Sequence, residues 1–130
     1  MSIKNLFNLS NHRALITGST RGIGNQMARG LAAHGASIII NGTNQQSVEQ
    51  AAKELVAEGY DATAVAFDVR NKEAIIEGIK KIEETIGQID ILINNAGIQR
   101  RHAFLDFPEE DWDDIIAVNK LSTLFGIMQT

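Results

Sequence analysis

The residues best placed for chemistry lie near the start of the chain, in Thr17-Gly18-Ser19-Thr20-Arg21-Gly22-Ile23-Gly24. This stretch follows the apolar run Ala14-Leu15-Ile16 and precedes residues with helical spacing. A turn from a strand into a helix presents unpaired backbone N–H groups at the positive end of the helix dipole, where phosphate binds well. Glycines let the phosphate approach the backbone. The P-loop pattern needs Gly-Lys-Ser/Thr, whereas Gly24 is followed by Asn25-Gln26. A G-x-G-x-x-G begun at Gly22 meets Met27 where its third glycine belongs. The spacing present is T-G-x-x-x-G-x-G. Taken alone, it serves a tight structural turn as well as it serves a phosphate.

Other polar residues offer further chemistry, each with a plainer alternative. Asp68 ends a third apolar run, where a turn or cap residue is expected. Arg100 and Arg101 follow Asn94-Asn95-Ala96-Gly97; either guanidinium suits a carboxylate bidentately, and either suits a solvated loop or an oligomer contact. Asn119 shares a helical face with Trp112, Ile115 and Ile116, so a polar amide interrupts an apolar stripe and must find partners. The acid-rich Phe107-Pro108-Glu109-Glu110-Asp111-Trp112-Asp113-Asp114 reads as a helix start favoured by the dipole. No His or Cys at ligand spacing accompanies those acids, so no metal site is expected.

These residues need a scaffold, and the periodicity supplies one. Short runs rich in Ile, Val and Ala at 13–17, 36–40, 62–67 and 89–93 suit strands buried on both faces. Between them the spacing turns helical: Ile23, Met27, Leu31; Val48, Ala51, Ala52, Leu55, Val56; Ile75, Ile79, Ile82, Ile86. Ser47 and Gln50 form a capping-box pattern, and Gly35, Gly59 and Gly87 stand where helices should end. The alternation βαβαβαβ predicts an α/β fold with a parallel sheet covered by helices on both faces.

One domain is expected from 130 residues, 44% of them apolar and 22% charged. A net charge of −4 with scattered basic residues argues against nucleic acid or anionic lipid as a partner. The absence of cysteine excludes thiolate chemistry, and no segment approaches a membrane span; a cytoplasmic address is expected.

The run Thr17, Gly18, Gly22, Gly24, followed in order by Asp68-Val69, Asn94-Asn95-Ala96-Gly97 and Asn119, resembles the short-chain dehydrogenase/reductase family over the whole chain. The resemblance implies a partial Rossmann-type, doubly wound parallel sheet of strand order 3-2-1-4 over residues 1–130. It implies a nicotinamide dinucleotide on the glycine turn, with Ile23 within that turn. Asp68 and Val69 would meet the adenine, and Asn95, Ala96 and Gly97 would close over the cofactor. Asn119 would belong to the catalytic tetrad, holding a water in the proton relay. Residues 94–119 look like the gluconate 5-dehydrogenase branch, which implies a sugar-acid substrate and a carboxylate held by Arg100 or Arg101.

NAD-selecting enzymes carry an acid about 20 residues beyond the glycine turn, but the second strand leads into Asn41-Gly42-Thr43-Asn44 with no acid before Glu49. By resemblance, Arg21 favours the 2′-phosphate of NADP over NAD, helped by Ser19, Asn41 and Thr43; a surface ion pair is the plainer role for Arg21. The family's hydride transfer also needs a serine and a Tyr-x-x-x-Lys. The single tyrosine, Tyr60, has Ala64 four residues later. The chain is therefore expected to supply a cofactor-binding half, truncated within its fourth helix, inactive alone and self-associating through residues 112–128. Two rivals are a non-catalytic fragment and a receiver-type signalling domain; the latter lacks the acid pair after its first strand.

Overall fold

The computed structural model describes residues 7–96. Seven elements follow in order: β1 (Arg13–Ile16), α1 (Gly22–Ala33), β2 (Ser37–Gly42), α2 (Gln45–Ala57), β3 (Ala62–Ala66), α3 (Lys72–Thr85) and β4 (Ile91–Ile93). The four strands form one parallel sheet in the order β3-β2-β1-β4, which is the expected doubly wound α/β arrangement.

Successive strand residues face opposite sides of the sheet, and both sides are buried. Ala14, Ile16, Ile38 and Ile40 pack with Ala28 and Ala32 of α1 and with Val48, Ala51, Ala52 and Leu55 of α2. Leu15, Ile39 and Val65 face the other way and pack with Ile75, Ile79 and Ile82 of α3. This is why the strands read as unbroken apolar runs. Gly78 lets α3 approach this layer, because a Cβ there would overlap the ring of Phe67.

Three local expectations need correction. The buried face of α1 centres on Gly24, Ala28 and Ala32; of the expected Ile23, Met27 and Leu31, Leu31 packs against the core from its edge, whereas Ile23 is 76% exposed. The helix is turned by one residue, about 100°, because small side chains at i, i+4, i+8 let its backbone lie close to the sheet. The start of α2 is three residues earlier than a Ser47 cap implies; the Asn44 side chain accepts the Ser47 N–H at 2.9 Å. Finally, β2 extends past Ile40 through Asn41 and Gly42, which pair with Val65 and Ala66. Gly35, Gly59 and Gly87 do follow the helices with positive φ, at 101°, 94° and 143°.

Candidate functional site

The glycine turn lies at the carboxyl end of β1, where the strand order reverses: β2 flanks β1 on one side and β4 on the other. In open α/β sheets such a reversal opens a crevice for ligands. Gly18 and Gly22 both have φ of +62°, a conformation other residues adopt at a cost. Gly18 has a second constraint, since a Cβ there would stand 3.0 Å from Ala96 Cα. At Gly24 a Cβ would overlap the Gly18 carbonyl oxygen and Asn95 Nδ2.

Arg21 is the N-cap of α1 in extended backbone, with no side-chain cap and no acid in the first helical turn. Among the described residues, the backbone N–H groups of Thr20, Arg21, Gly22, Ile23 and Gly24 donate to no protein acceptor. Five consecutive free donors at a helix N-terminus form a cradle for an anion. Sequence reasoning singled out all of these residues except Thr20. The rule that helix starts leave their first amides unpaired points to Thr20 as well, because it adjoins the cap.

Beneath the cradle lies a buried polar network. Ser19 is fully buried; its hydroxyl donates to Ile16 O at 2.7 Å and accepts the Asn41 N–H at 3.0 Å. The Ser19 N–H donates to Asn41 O at 2.9 Å. The Asn41 side chain, 1% exposed, donates to Val65 O at 3.1 Å and Phe67 O at 3.4 Å and accepts the Gly18 N–H at 3.4 Å. Both side chains are thus engaged inside the fold, whereas Arg21 and Thr43 are exposed. Gly42 leaves room for the turn, since a Cβ there would stand 2.9 Å from Thr20 Cγ2.

A second network joins the turn to the end of β4. Thr17 Oγ1 accepts the N–H groups of Asn95 and Ala96, each at 3.0 Å. Asn95 Nδ2 donates to Thr17 O at 3.2 Å and Gly18 O at 3.0 Å. At the end of β3, the Val69 side chain belongs to the buried cluster of Leu15, Ile39 and Ile75, while the Asp68 carboxylate is about one-third exposed. Asp68 accepts the Arg70 N–H at 2.9 Å and pairs with its guanidinium at 2.8 Å. That guanidinium holds the Asp68 carboxyl below its ordinary range; burial opposes it and the Arg70 N–H assists it.

The structure therefore brings Thr17 to Gly24, Asn41, Thr43, Asp68, Val69, Asn95 and Ala96 to one end of the sheet. Gly97, Arg100, Arg101, Asn119 and the segment 112–128 lie outside the described residues. Among the described residues there is no group of three metal-ligating side chains and no helix long and apolar enough to cross a membrane.

A parallel sheet of order 3-2-1-4 with a glycine turn at its point of reversal defines a Rossmann-like fold fragment. The short chain dehydrogenase family model matches residues 12–130, and the chain belongs to that family. It is 47% identical over 125 residues to gluconate 5-dehydrogenase of Gluconobacter oxydans (strain 621H), covering 96% of this chain and 49% of that protein. It is 48% identical over 118 residues to 5-keto-D-gluconate 5-reductase of Escherichia coli (strain K12), covering 91% of this chain and 46% of that protein. Among solved structures, a gluconate 5-dehydrogenase from Burkholderia cenocepacia J2315 in complex with NADP and tartrate superposes with a TM-score of 0.92 at 40% identity. The superposition covers 98% of this chain and 50% of that one. The chain thus spans about half the length of the relatives it matches.

Proposed function

We propose that these residues form the NADP-binding half of an oxidoreductase of the gluconate 5-dehydrogenase type. Such an enzyme transfers a hydride between NADP(H) and a sugar acid or its keto acid. The observation that carries the reading is the run of five unpaired amides from Thr20 to Gly24, with no acid in the first turn of α1 to compete for them. A dinucleotide pyrophosphate fits this donor set. When bound, the cofactor supplies or accepts the hydride; the chain holds and orients it.

The described residues have separate tasks in this reading. Gly18 and Gly24 keep the cradle open to the pyrophosphate, and Thr17 with Asn95 holds the β4 end against it. Arg21 and Thr43, both exposed, face the ribose 2′-phosphate, while Ser19 and Asn41 support the turn from below. Asp68 and the Val69 backbone flank the adenine. Outside the described residues, Gly97 extends the wall over the cofactor, Arg100 and Arg101 provide the cation for a sugar-acid carboxylate, and Asn119 belongs to the proton relay. The serine and Tyr-x-x-x-Lys of the family's acid–base step would have to come from polypeptide beyond these 130 residues.

Isothermal calorimetry with NADP⁺ and NAD⁺ on the wild type and Arg21→Ala tests the reading. Tighter binding of NADP⁺ that is lost in the variant is expected; equal affinity for both cofactors in both proteins would sink it.

A second reading, a dinucleotide-binding or self-associating module without catalysis, is favoured by one feature. An apolar groove of about 420 Å3, lined by Phe7, Leu9, Met27, Leu31, His34 and Ile93, lies open beside β4. Exposed apolar surface recruits partners. Light scattering at high micromolar concentration checks this, and a stable monomer would argue against it.

A further inference from the structure

The glycine turn is also held from outside the crevice, by a chain of side chains on α1 and α2. Asn25 Nδ2 donates to the Ser19 carbonyl oxygen at 3.1 Å. Arg29 Nε, one helical turn further along, donates to Asn25 Oδ1 at 2.9 Å. The Arg29 guanidinium in turn pairs with Glu58, just past the end of α2, and lies 4.0 Å from Glu54. Glu58 is held in its ionised form, chiefly by this bond.

We infer that Arg29 is a positioning residue for the anion cradle, acting through Asn25 on the Ser19–Thr20 peptide. The inference rests on the reading of the turn as a dinucleotide site. Its physical basis is the one-way character of the groups in the chain. A guanidinium only donates, so Asn25 must turn Oδ1 toward Arg29. Its Nδ2 is then left to face the Ser19 carbonyl, which only accepts. A trans peptide is planar, with its N–H opposed to its C=O. Fixing the Ser19 carbonyl toward α1 therefore points the Thr20 N–H away from α1, as the first of the five free donors. Without Arg29 the Asn25 amide can flip and present an oxygen to the Ser19 carbonyl, releasing that peptide.

Asn25→Ala is the cleanest probe, because alanine favours the helix and no charge changes. Arg29→Leu removes the orienting donor. NADP⁺ affinity is expected to fall roughly three- to tenfold in each, the loss of one hydrogen bond's worth of positioning. The double variant should be no weaker than the weaker single, since both act along one path. Unchanged binding in Asn25→Ala, or additive losses in the double variant, would overturn the inference and leave only the charge of Arg29. A second readout needs no ligand: the Ser19 carbonyl carbon and Thr20 amide resonances of the free protein should move together in both variants. Resonances that stay in place refute the relay itself. Failure of the wild type to bind NADP⁺, with those resonances still moving, would instead refute the dinucleotide reading and the purpose assigned to the relay.

Discussion

Asn95 at the end of β4 donates its side-chain amide to the carbonyl of Gly18 at 3.0 Å, although 77 residues separate them in the chain. Thr17 returns the bond by accepting the N–H groups of Asn95 and Ala96. The turn and the end of β4 are therefore one structural unit, and substitutions on either side should be felt by both.

Thr17→Val preserves shape but removes the acceptor of the Ala96 N–H, while the Asn95 N–H keeps its second acceptor, Ile93 O at 3.0 Å. It should cost about 1 kcal/mol, the penalty for one part-buried donor left without its acceptor. Urea unfolding of the two proteins measures it, and a change under ~0.5 kcal/mol would mean that water or relaxation satisfies the Ala96 amide.

Two glycines of α1 should respond with opposite signs. Helix propensity favours alanine over glycine by about 1 kcal/mol. At Gly30 nothing lies within 4 Å of an added Cβ, so Gly30→Ala should raise the melting temperature. At Gly24 the added Cβ meets the Gly18 carbonyl and Asn95, so Gly24→Ala should lower it and abolish cofactor binding. Thermal unfolding of the pair decides the matter, and equal shifts would refute the close approach.

Asp68 gives a pH dependence with a definite sign. Its folded-state pKa is depressed by Arg70, so its contribution to stability is present above the unfolded carboxyl pKa of about 3.9 and is lost as pH falls through the folded value. The stability advantage of the wild type over Asp68→Asn should be full at neutral pH and shrink below about pH 4. Denaturant titrations at several pH values follow it. Because the group is about one-third exposed, the effect should be small and should weaken with salt.

The polypeptide of these 130 residues should not reduce 5-ketogluconate by itself. It holds one tyrosine, Tyr60, which is partly buried and packs against the core formed by β2, α1 and α2. Losing positioned acid–base catalysis costs roughly 10²–10⁴ in rate, and losing the substrate's orientation costs more. NADPH consumption by purified protein is the assay, with Asn119→Ala as control. Turnover above ~1 s⁻¹ that vanishes in that variant would show that another residue supplies the proton.

The alternation of strand and helix, the burial of the sheet on both faces and the strand order were legible in the sequence. The first two follow from local period and composition, and the order follows from the family resemblance that the glycine turn carries. The set of residues around the turn was legible too, because a strand-to-helix turn gathers consecutive residues. Their division of labour was not. By resemblance Ser19 and Asn41 are expected as hydrogen-bond donors toward the cofactor; in the fold their side chains are buried and bonded to backbone carbonyls.

Local pattern alone determines which segments are strands and helices, since period and caps act over a few residues. The tertiary structure decided the rest. It rotated α1 onto Gly24, Ala28 and Ala32, because the sheet accepts a close backbone better than large side chains. It turned Asn41 inward, because the carbonyls of Val65 and Phe67 and the amide of Gly18 meet there only after three strands have paired. A buried amide takes its role from partners distant in sequence, and those partners exist only once the chain has folded.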